Sequence, residues 1–132
     1  MFGELIYEGK GKTIGVRMLN DKGTMEMTFQ EEGTILGIPC SSMTTFVCTQ
    51  RPDGMLVSEG PGIMYTKDGD TASFKVYTVI IPKGMTPASS VRGAKFFNTQ
   101  SPKLARLNTI VCISEVEMKE DNTYTVKEWE WK

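Results

Sequence analysis

Residues 66–84, TKDGDTASFKVYTVIIPKG, contain one strand between two turn signals. Apolar side chains alternate with polar ones along the strand, at Ala72, Phe74, Val76 and Ile80. This period of two is typical of a strand with one buried face. The Asp-Gly pair at 68–69 and the Pro-Lys-Gly run at 82–84 are residue types suited to turns. The stretch therefore predicts a strand over 71–81 whose apolar side faces a core.

The same punctuation recurs along the whole chain. Turn signals lie at 20–23, 51–54, 67–70, 82–84 and 119–122. They separate eight segments with strand character: 4–19, 24–37, 40–51, 55–66, 71–81, 88–98, 108–119 and 123–131. Because closure removes exposed sheet edges, short antiparallel strands joined by tight turns favour a barrel. The sequence thus predicts an all-β fold in which 1–132 form a single domain, an eight-stranded antiparallel up-and-down barrel.

Two local patterns refine this prediction. Three glycines lie inside the first segment, at Gly9, Gly11 and Gly15, and glycine within a strand marks bends and bulges. A strongly curved first strand is what a closing barrel requires. Ser101 and Pro102 begin a run with the spacing and capping residues of a helix. One short helix is therefore predicted near 101–107.

Composition supports the fold and excludes several chemistries. Thr, Val and Ile total 33 of the 132 residues, whereas Ala and Leu total 10, a ratio typical of β structure. The chain has no histidine, which excludes Ser-His and Cys-His nucleophile pairs and His-ligated metals. No metal site and no cofactor are predicted. A net charge of −1 with interspersed signs lacks the basic footprint of a nucleic-acid binder.

The cysteines and the N-terminal residues indicate a compartment. The three cysteines form no CxxC motif, and an odd number argues against a disulfide framework. The N-terminal residues lack a basic n-region followed by a long apolar run, so no signal peptide is expected. No apolar run reaches the roughly 18 residues that a membrane helix needs, so no membrane partner is expected. The predicted location is the cytoplasm, with reduced thiols.

Several motifs together resemble a known group of proteins. They are RPDG at 51–54, EGPG at 59–62, TKDG at 66–69, Arg92-Gly93, TQSPKLARLN at 99–108 and WEW at 129–131. The combination resembles an uncharacterised group of short bacterial β-barrel proteins with a calycin-like, or allene oxide cyclase-like, barrel. The resemblance covers nearly the whole chain, and SPKLARLN is its most specific part. It implies a closed barrel and oligomers, but no established activity, and no catalytic residue is carried over.

Candidate ligand-binding residues come from the predicted inner faces of the strands. Met27 and Phe29 alternate with polar residues in the second segment. In the fourth segment Glu59 shares strand parity with the apolar set, which is Met55, Val57, Ile63 and Tyr65. A buried carboxylate needs a partner, and Arg92 is the candidate if its parity is inward. The predicted site is Glu59, Arg92, Met27, Phe29, Tyr65 and Phe96.

Other residues are expected on the outer face. Glu128 and Glu130 are paired carboxylates, which glycosidases use, but near a chain end we interpret them as a solvated outer face. Trp129 and Trp131 share a face with Lys127, and if that face is outer the two tryptophans need cover. With Phe97 as a further outward apolar side chain, they predict a homodimer or a larger homo-oligomer.

Three functions remain open at this stage. The first is binding of a small, largely apolar ligand, because the interior of an eight-stranded barrel either is filled or holds one small ligand. The second is a structural or interaction protein with a filled barrel that forms oligomers. The third is a cofactor-free isomerase or cyclase of an apolar substrate. Whether the protein is an enzyme is left open, with binding favoured over catalysis.

Overall fold

The computed structural model describes residues 2–132, which form a closed barrel of eight antiparallel strands in chain order. The strands are β1 (Phe2–Met18), β2 (Met25–Ile35), β3 (Ile38–Gln50), β4 (Leu56–Thr66), β5 (Thr71–Pro82), β6 (Ser89–Asn98), β7 (Val111–Met118) and β8 (Thr123–Trp131). One 3-10 helix, η1 (Pro102–Thr109), lies between β6 and β7. The prediction of an eight-stranded up-and-down barrel with one short helix is confirmed.

The first strand closes the barrel by pairing with both β2 and β8. The register shifts between Thr13 and Gly15 against β2, and between Leu5 and Tyr7 against β8. The second shift turns two consecutive side chains inward, since Ile6 and Tyr7 are both buried. The shift at Gly15 is a bulge of the kind that the glycine content of this segment predicted, whereas the shift between Leu5 and Tyr7 lies outside the predicted glycines.

Glycines of β1 make room for two interior tyrosines. A Cβ atom at Gly9 would collide with the Tyr7 hydroxyl, and one at Gly11 would collide with the Tyr124 ring. Large rings therefore fill the space that the missing side chains leave on the inner wall. Any larger residue at these two positions would displace a tyrosine.

One end of the barrel, here called the plugged end, is filled with apolar side chains. Leu104 and Leu107 of η1 are fully buried and pack with residues from the strand ends. These residues are Ile35, Cys40, Met64, Ala72, Phe97 and Cys112. The plugged end therefore contains a dry core.

Polar contacts fix η1 to the barrel. Asn108 exchanges two hydrogen bonds with the backbone of Thr99, accepting from its N–H (2.8 Å) and donating to its carbonyl (2.9 Å). The Ser101 hydroxyl donates to Asp70 Oδ1 (2.7 Å) instead of capping the helix. The SPKLARLN run at 101–108 is thus the structural plug of this end of the barrel.

The opposite end, here called the open end, carries the turns at 19–24, 51–55, 83–88 and 119–122. Within residues 2–132, no helix has the length and hydropathy that a membrane span requires. The two ends of the barrel thus differ: η1 fills the plugged end, and the barrel interior next to the open end contains a cavity.

Two strands face the other way from the sequence prediction. In β4 the inner positions are Ser58, Met64 and Thr66, so Glu59 and Tyr65 are exposed. The apolar alternation misled because the inner face of β4 holds small residues. Phe74 of β5 fills the space directly over Gly62, which leaves no room there for a large side chain. The predicted inward set on β4 is therefore wrong.

The inner positions of β6 are Val91, Lys95 and Phe97, whereas Arg92 and Phe96 point outward and are exposed. The inward orientation predicted for Arg92 and Phe96 is wrong, and so is the outward orientation predicted for Phe97. A lysine among inner positions makes the two faces of this strand look alike in the sequence. Lys95 can be buried because it forms an ion pair with Glu128 of β8.

Candidate functional site

An internal cavity of about 240 Å³ occupies the half of the barrel nearest the open end. Its wall is largely apolar and comes from the seven strands β2 to β8. The main apolar lining residues are Met25, Met27, Phe29, Phe46, Cys48, Leu56, Phe74, Val76, Ile80, Val91, Val116, Met118 and Val126. Thr86, Pro87 and Ala88 of the β5–β6 turn also line it, so the cavity reaches the open end. Such a chamber suits an apolar guest.

Methionine is concentrated at this end of the molecule. Six of the nine methionines lie in the strand ends or turns at the open end: Met18, Met25, Met27, Met55, Met85 and Met118. Met85 is fully exposed in the β5–β6 turn, whereas Met27 and Met118 line the cavity. Because thioether chains are flexible and polarizable, they adapt to guests of different shape. The entrance to the cavity is therefore a deformable apolar surface.

A buried ion pair lies at the inner end of this cavity, and we call this region the cavity floor. Lys95 Nζ is 3.2 Å from Glu128 Oε1, and the two side chains are only 5% and 4% exposed. Lys95 projects from β6 and Glu128 from β8, and both line the cavity. The ammonium also lies over the Phe74 ring (4.0 Å to the centroid) and within 5.1 Å of the Tyr7 and Phe97 rings. Aromatic faces stabilise a cation that has lost its water.

Hydroxyl groups and a second carboxyl group complete the floor. The Ser114 hydroxyl donates to Glu128 Oε2 (2.9 Å), and the Tyr124 hydroxyl donates to Glu31 Oε1 (2.7 Å). Glu31 lines the same cavity as Lys95. The buried Glu128 Oε1 accepts no hydrogen bond from the described residues. Among these residues, Lys95 is its only close charged partner. The floor thus combines one ammonium with two carboxyl groups.

Burial shifts the titration of the floor. Loss of water raises the pKa of Glu128, and the lowering effect of Lys95 does not fully offset it, while Glu31 raises it further. Burial first, and then the Glu31 carboxylate, raises the pKa of both Tyr7 and Tyr124 well above the usual range for phenols. Both tyrosines therefore keep their protons; Tyr124 donates a hydrogen bond to Glu31, whereas the buried Tyr7 hydroxyl has no hydrogen-bond partner among the described residues.

Only part of the predicted site lies at this cavity. Met27 and Phe29 line it, and their role in ligand binding stays a prediction. Glu59 and Arg92 do not meet, because they lie on the outside of β4 and β6 with β5 between them. Arg92 instead pairs with Glu117 at 3.2 Å on the surface.

The predicted aromatic residues are outside as well, since Tyr65 is 51% and Phe96 46% exposed. Lys95 and Glu128 are not among the residues predicted for the site, and Glu128 was expected on a solvated face. A signal was present, since Lys95 shares parity with Val91 and Phe97, and Glu128 with Tyr124. Two opposite charges at inward parity on separate strands indicate a buried pair.

No protein-family model matches this chain, and no curated protein sequence matches it. Within residues 2–132, no group of three or more Cys, Asp or Glu side chains is placed to hold a metal ion. Solved structures of three bacterial proteins do match over nearly the whole chain, each at 13% sequence identity.

A β-barrel-like protein from Acinetobacter baumannii matches with a TM-score of 0.80, covering 98% of this chain and 94% of that one. A conserved protein of unknown function from Rhodopseudomonas palustris has a TM-score of 0.74, with 96% and 95% covered. A protein of unknown function from Clostridium acetobutylicum also has 0.74, with 96% of both chains covered. These likenesses establish the shared eight-stranded barrel fold.

Proposed function

We propose that this protein binds a small, largely apolar molecule in the open half of its barrel. The observation that carries this proposal is the cavity of about 240 Å³ with an apolar wall and an opening among methionines. A cavity of about 150 Å³ accommodates benzene, so this one suits a guest of roughly ten non-hydrogen atoms. The expected ligand is therefore much smaller than a long-chain lipid.

The division of the interior supports this function. The plugged end already supplies a dense core, with Leu104 and Leu107 of η1 fully buried. Stability therefore does not require side chains to fill the other half. An eight-stranded barrel of this size can hold one small ligand. The resemblance to calycin-like and allene oxide cyclase-like barrels implies the closed barrel, and we propose membership of that group on the basis of this shared fold.

Two adjacent isoleucines allow a matched test. Ile80 lines the cavity near the open end, whereas Ile81 points outward and is 45% exposed. Titration calorimetry with butylbenzene, which has ten carbon atoms, is expected to show saturable binding at one site per chain. Ile80→Trp fills the cavity and should abolish this binding, and Ile81→Trp should leave it intact. Equal binding by the two variants, or none by the unaltered protein, would refute the proposal.

The outer surface supports a second proposal, that the chain self-associates into a homodimer or larger homo-oligomer. Phe2 and Trp129 stack with ring centroids 4.9 Å apart, and beside them Leu5 is 41% and Trp131 60% exposed. A second copy could cover this apolar patch, since symmetric dimers are the commonest oligomers. Sedimentation of Trp131→Lys against the unaltered chain tests this, and a concentration-independent monomer for both would refute it.

We also propose that the protein works in the cytoplasm. Cys40, Cys48 and Cys112 are all free and buried, a state that a reducing compartment maintains.

A further inference from the structure

We propose that Lys95 anchors the ligand by donating a hydrogen bond to a neutral oxygen of a ketone, aldehyde or alcohol. This inference rests on the proposed function and specifies the chemical class of its ligand. The guest would extend its apolar part toward the methionines of the open end and its single oxygen toward the cavity floor.

The surroundings of the ammonium provide this anchor. A lysine ammonium has three N–H donors. One side of Lys95 Nζ faces Glu128 Oε1 at 3.2 Å, and the rings of Phe74, Tyr7 and Phe97 lie on other sides. Ring faces attract a cation, but they are weak hydrogen-bond acceptors. Since Lys95 also lines the cavity, a ligand oxygen can provide the further acceptor.

The charges of the floor select against an anionic ligand. A carboxylate guest would enter a buried space that already holds the carboxyl groups of Glu31 and Glu128 against one ammonium. A third carboxylate there would lose its water and meet repulsion from the other two. An apolar cavity that ends in a lysine would by itself suit a fatty-acid anion. The two carboxyl groups beside Lys95 make such anions poor ligands here.

A cationic ligand is disfavoured for a different reason. It would lose its water and approach the buried ammonium of Lys95, while the two carboxyl groups that could attract it are already engaged, Glu128 by Lys95 and Glu31 by Tyr124. A neutral oxygen avoids both the desolvation of an ion and the repulsion between like charges, because it accepts a hydrogen bond from Lys95 without adding charge. The floor is therefore complementary to a neutral acceptor.

Four ligands of similar size and different head groups test this inference by calorimetry: butylbenzene, benzylacetone, phenylbutanoate and phenylbutylamine. The ketone benzylacetone should bind about tenfold more tightly than butylbenzene, the gain expected from a hydrogen bond to a charged donor. Both ions should bind more weakly than butylbenzene. Equal affinity for benzylacetone and butylbenzene, or tightest binding by either ion, would overturn the inference while leaving apolar binding intact. Failure of all four ligands would refute the proposed function itself.

The double variant Lys95→Met/Glu128→Gln removes both charges together and retains an acceptor for Ser114. The ratio of its affinities for benzylacetone and butylbenzene should fall from about ten to about one, whatever the change in its affinity for butylbenzene. Lys75→Met, on the exposed outer face of β5, is the control and should keep the preference. A preference that survives in the double variant would show that Lys95 is not the anchor.

A measurement on the unaltered protein keeps the test decisive if the double variant does not fold. The carbonyl stretching band of bound benzylacetone, identified from the difference spectrum between carbon-12 and carbon-13 forms of the ligand, should lie at lower frequency than in an alkane solvent. A band at the alkane position would mean that the carbonyl accepts no hydrogen bond, and would overturn the inference.

Discussion

Lys95 and Glu128 form an ion pair inside the barrel, with Nζ and Oε1 3.2 Å apart and both side chains almost fully buried. Burying two charges removes their hydration, and the attraction between them often does no more than offset that loss. The pair is therefore weak evidence for stability. Because it forms the floor of an apolar cavity, we assign it to ligand recognition.

Removing one partner of this pair should be strongly destabilising. Lys95→Met leaves Glu128 as an uncompensated buried carboxylate, so the free energy of unfolding should fall by roughly 3–5 kcal/mol at neutral pH. Lys95→Met/Glu128→Gln should lose much less, since no charge is left unpaired. Urea denaturation measures both, with the exposed Lys75→Met as the control. If the single and double variants lost equal stability, the pairing would be wrong.

The loss in Lys95→Met should shrink at mildly acidic pH. The pKa of Glu128 is already raised by burial, and the removal of Lys95 takes away the main effect that lowers it. A carboxyl group with a raised pKa binds protons more tightly in the folded state, so stability rises as the pH falls through that raised value. Denaturation at several pH values checks this. A loss that stays constant with pH would mean that Glu128 keeps water contact.

The corrected orientations of Glu59 and Arg92 give a separate prediction. Both side chains are exposed, and Arg92 makes only a surface pair with Glu117. Glu59→Ala and Arg92→Ala should therefore each change the free energy of unfolding by less than about 0.5–1 kcal/mol. Thermal or urea unfolding is sufficient to measure this. A loss of several kcal/mol from either change would put its side chain back in the interior.

The helix η1 should act as a structural plug. Leu104 is fully buried, so Leu104→Ala should lower the free energy of unfolding by about 2–5 kcal/mol. Lys103→Ala, at the exposed neighbouring position, is the control. Binding of butylbenzene in the other half of the barrel should persist wherever Leu104→Ala remains folded. A negligible loss of stability would show that the barrel does not need the plug.

The three cysteines should be protected in the folded protein. Burial is the main cause that raises the pKa of Cys40 and Cys48 to about 11 and that of Cys112 to about 12. A disulfide reagent at mildly alkaline pH should react slowly with the native protein, and with three thiols once it is denatured without reductant. Recovery of fewer than three would reveal a disulfide.

The same thiols predict a loss of stability in alkali. As the pH rises from about 9 toward 11–12, the unfolded chain releases thiol protons that the folded chain retains. Unfolding then becomes more favourable with each increase in pH. Replacing Cys48 with alanine should weaken this dependence, because one buried thiol is removed. An unchanged slope would assign the effect to other groups.

The sequence predicted the barrel because its turn signals and strand alternation are local properties. Residues 68–69 are followed by a clean period of two, and the structure places Ala72, Phe74 and Val76 inside as expected. One turn was less visible. The β2–β3 connection has positive φ angles at Leu36 and Gly37. Leucine rarely adopts a positive φ, so the residue type at position 36 did not indicate a turn.

The site was harder to predict, because it depends on residues from strands that are distant in the sequence. The inward side of β4 carries Ser58 and Gly62 because Phe74 of β5 fills the space opposite, so hydrophobicity alone gives the wrong face. Lys95 can face inward only because Glu128, 33 positions later, faces it. The parity of each residue can be read from its own strand, but the pairing of the two across the barrel interior cannot be read until the register is known.

The central claim, that a small apolar ligand occupies the open half of the barrel, is tested most directly by NMR of protein labelled at the methionine methyl groups. Met25, Met27 and Met118 line the cavity, Met43 lies on the outer face, and Met64 is buried outside the cavity lining. Titration with butylbenzene should shift the methyl signals of Met25, Met27 and Met118 in a saturable way, with little change at Met43 and Met64. Saturable shifts centred on Met43, or no saturable shift at the three cavity methionines, would contradict the account.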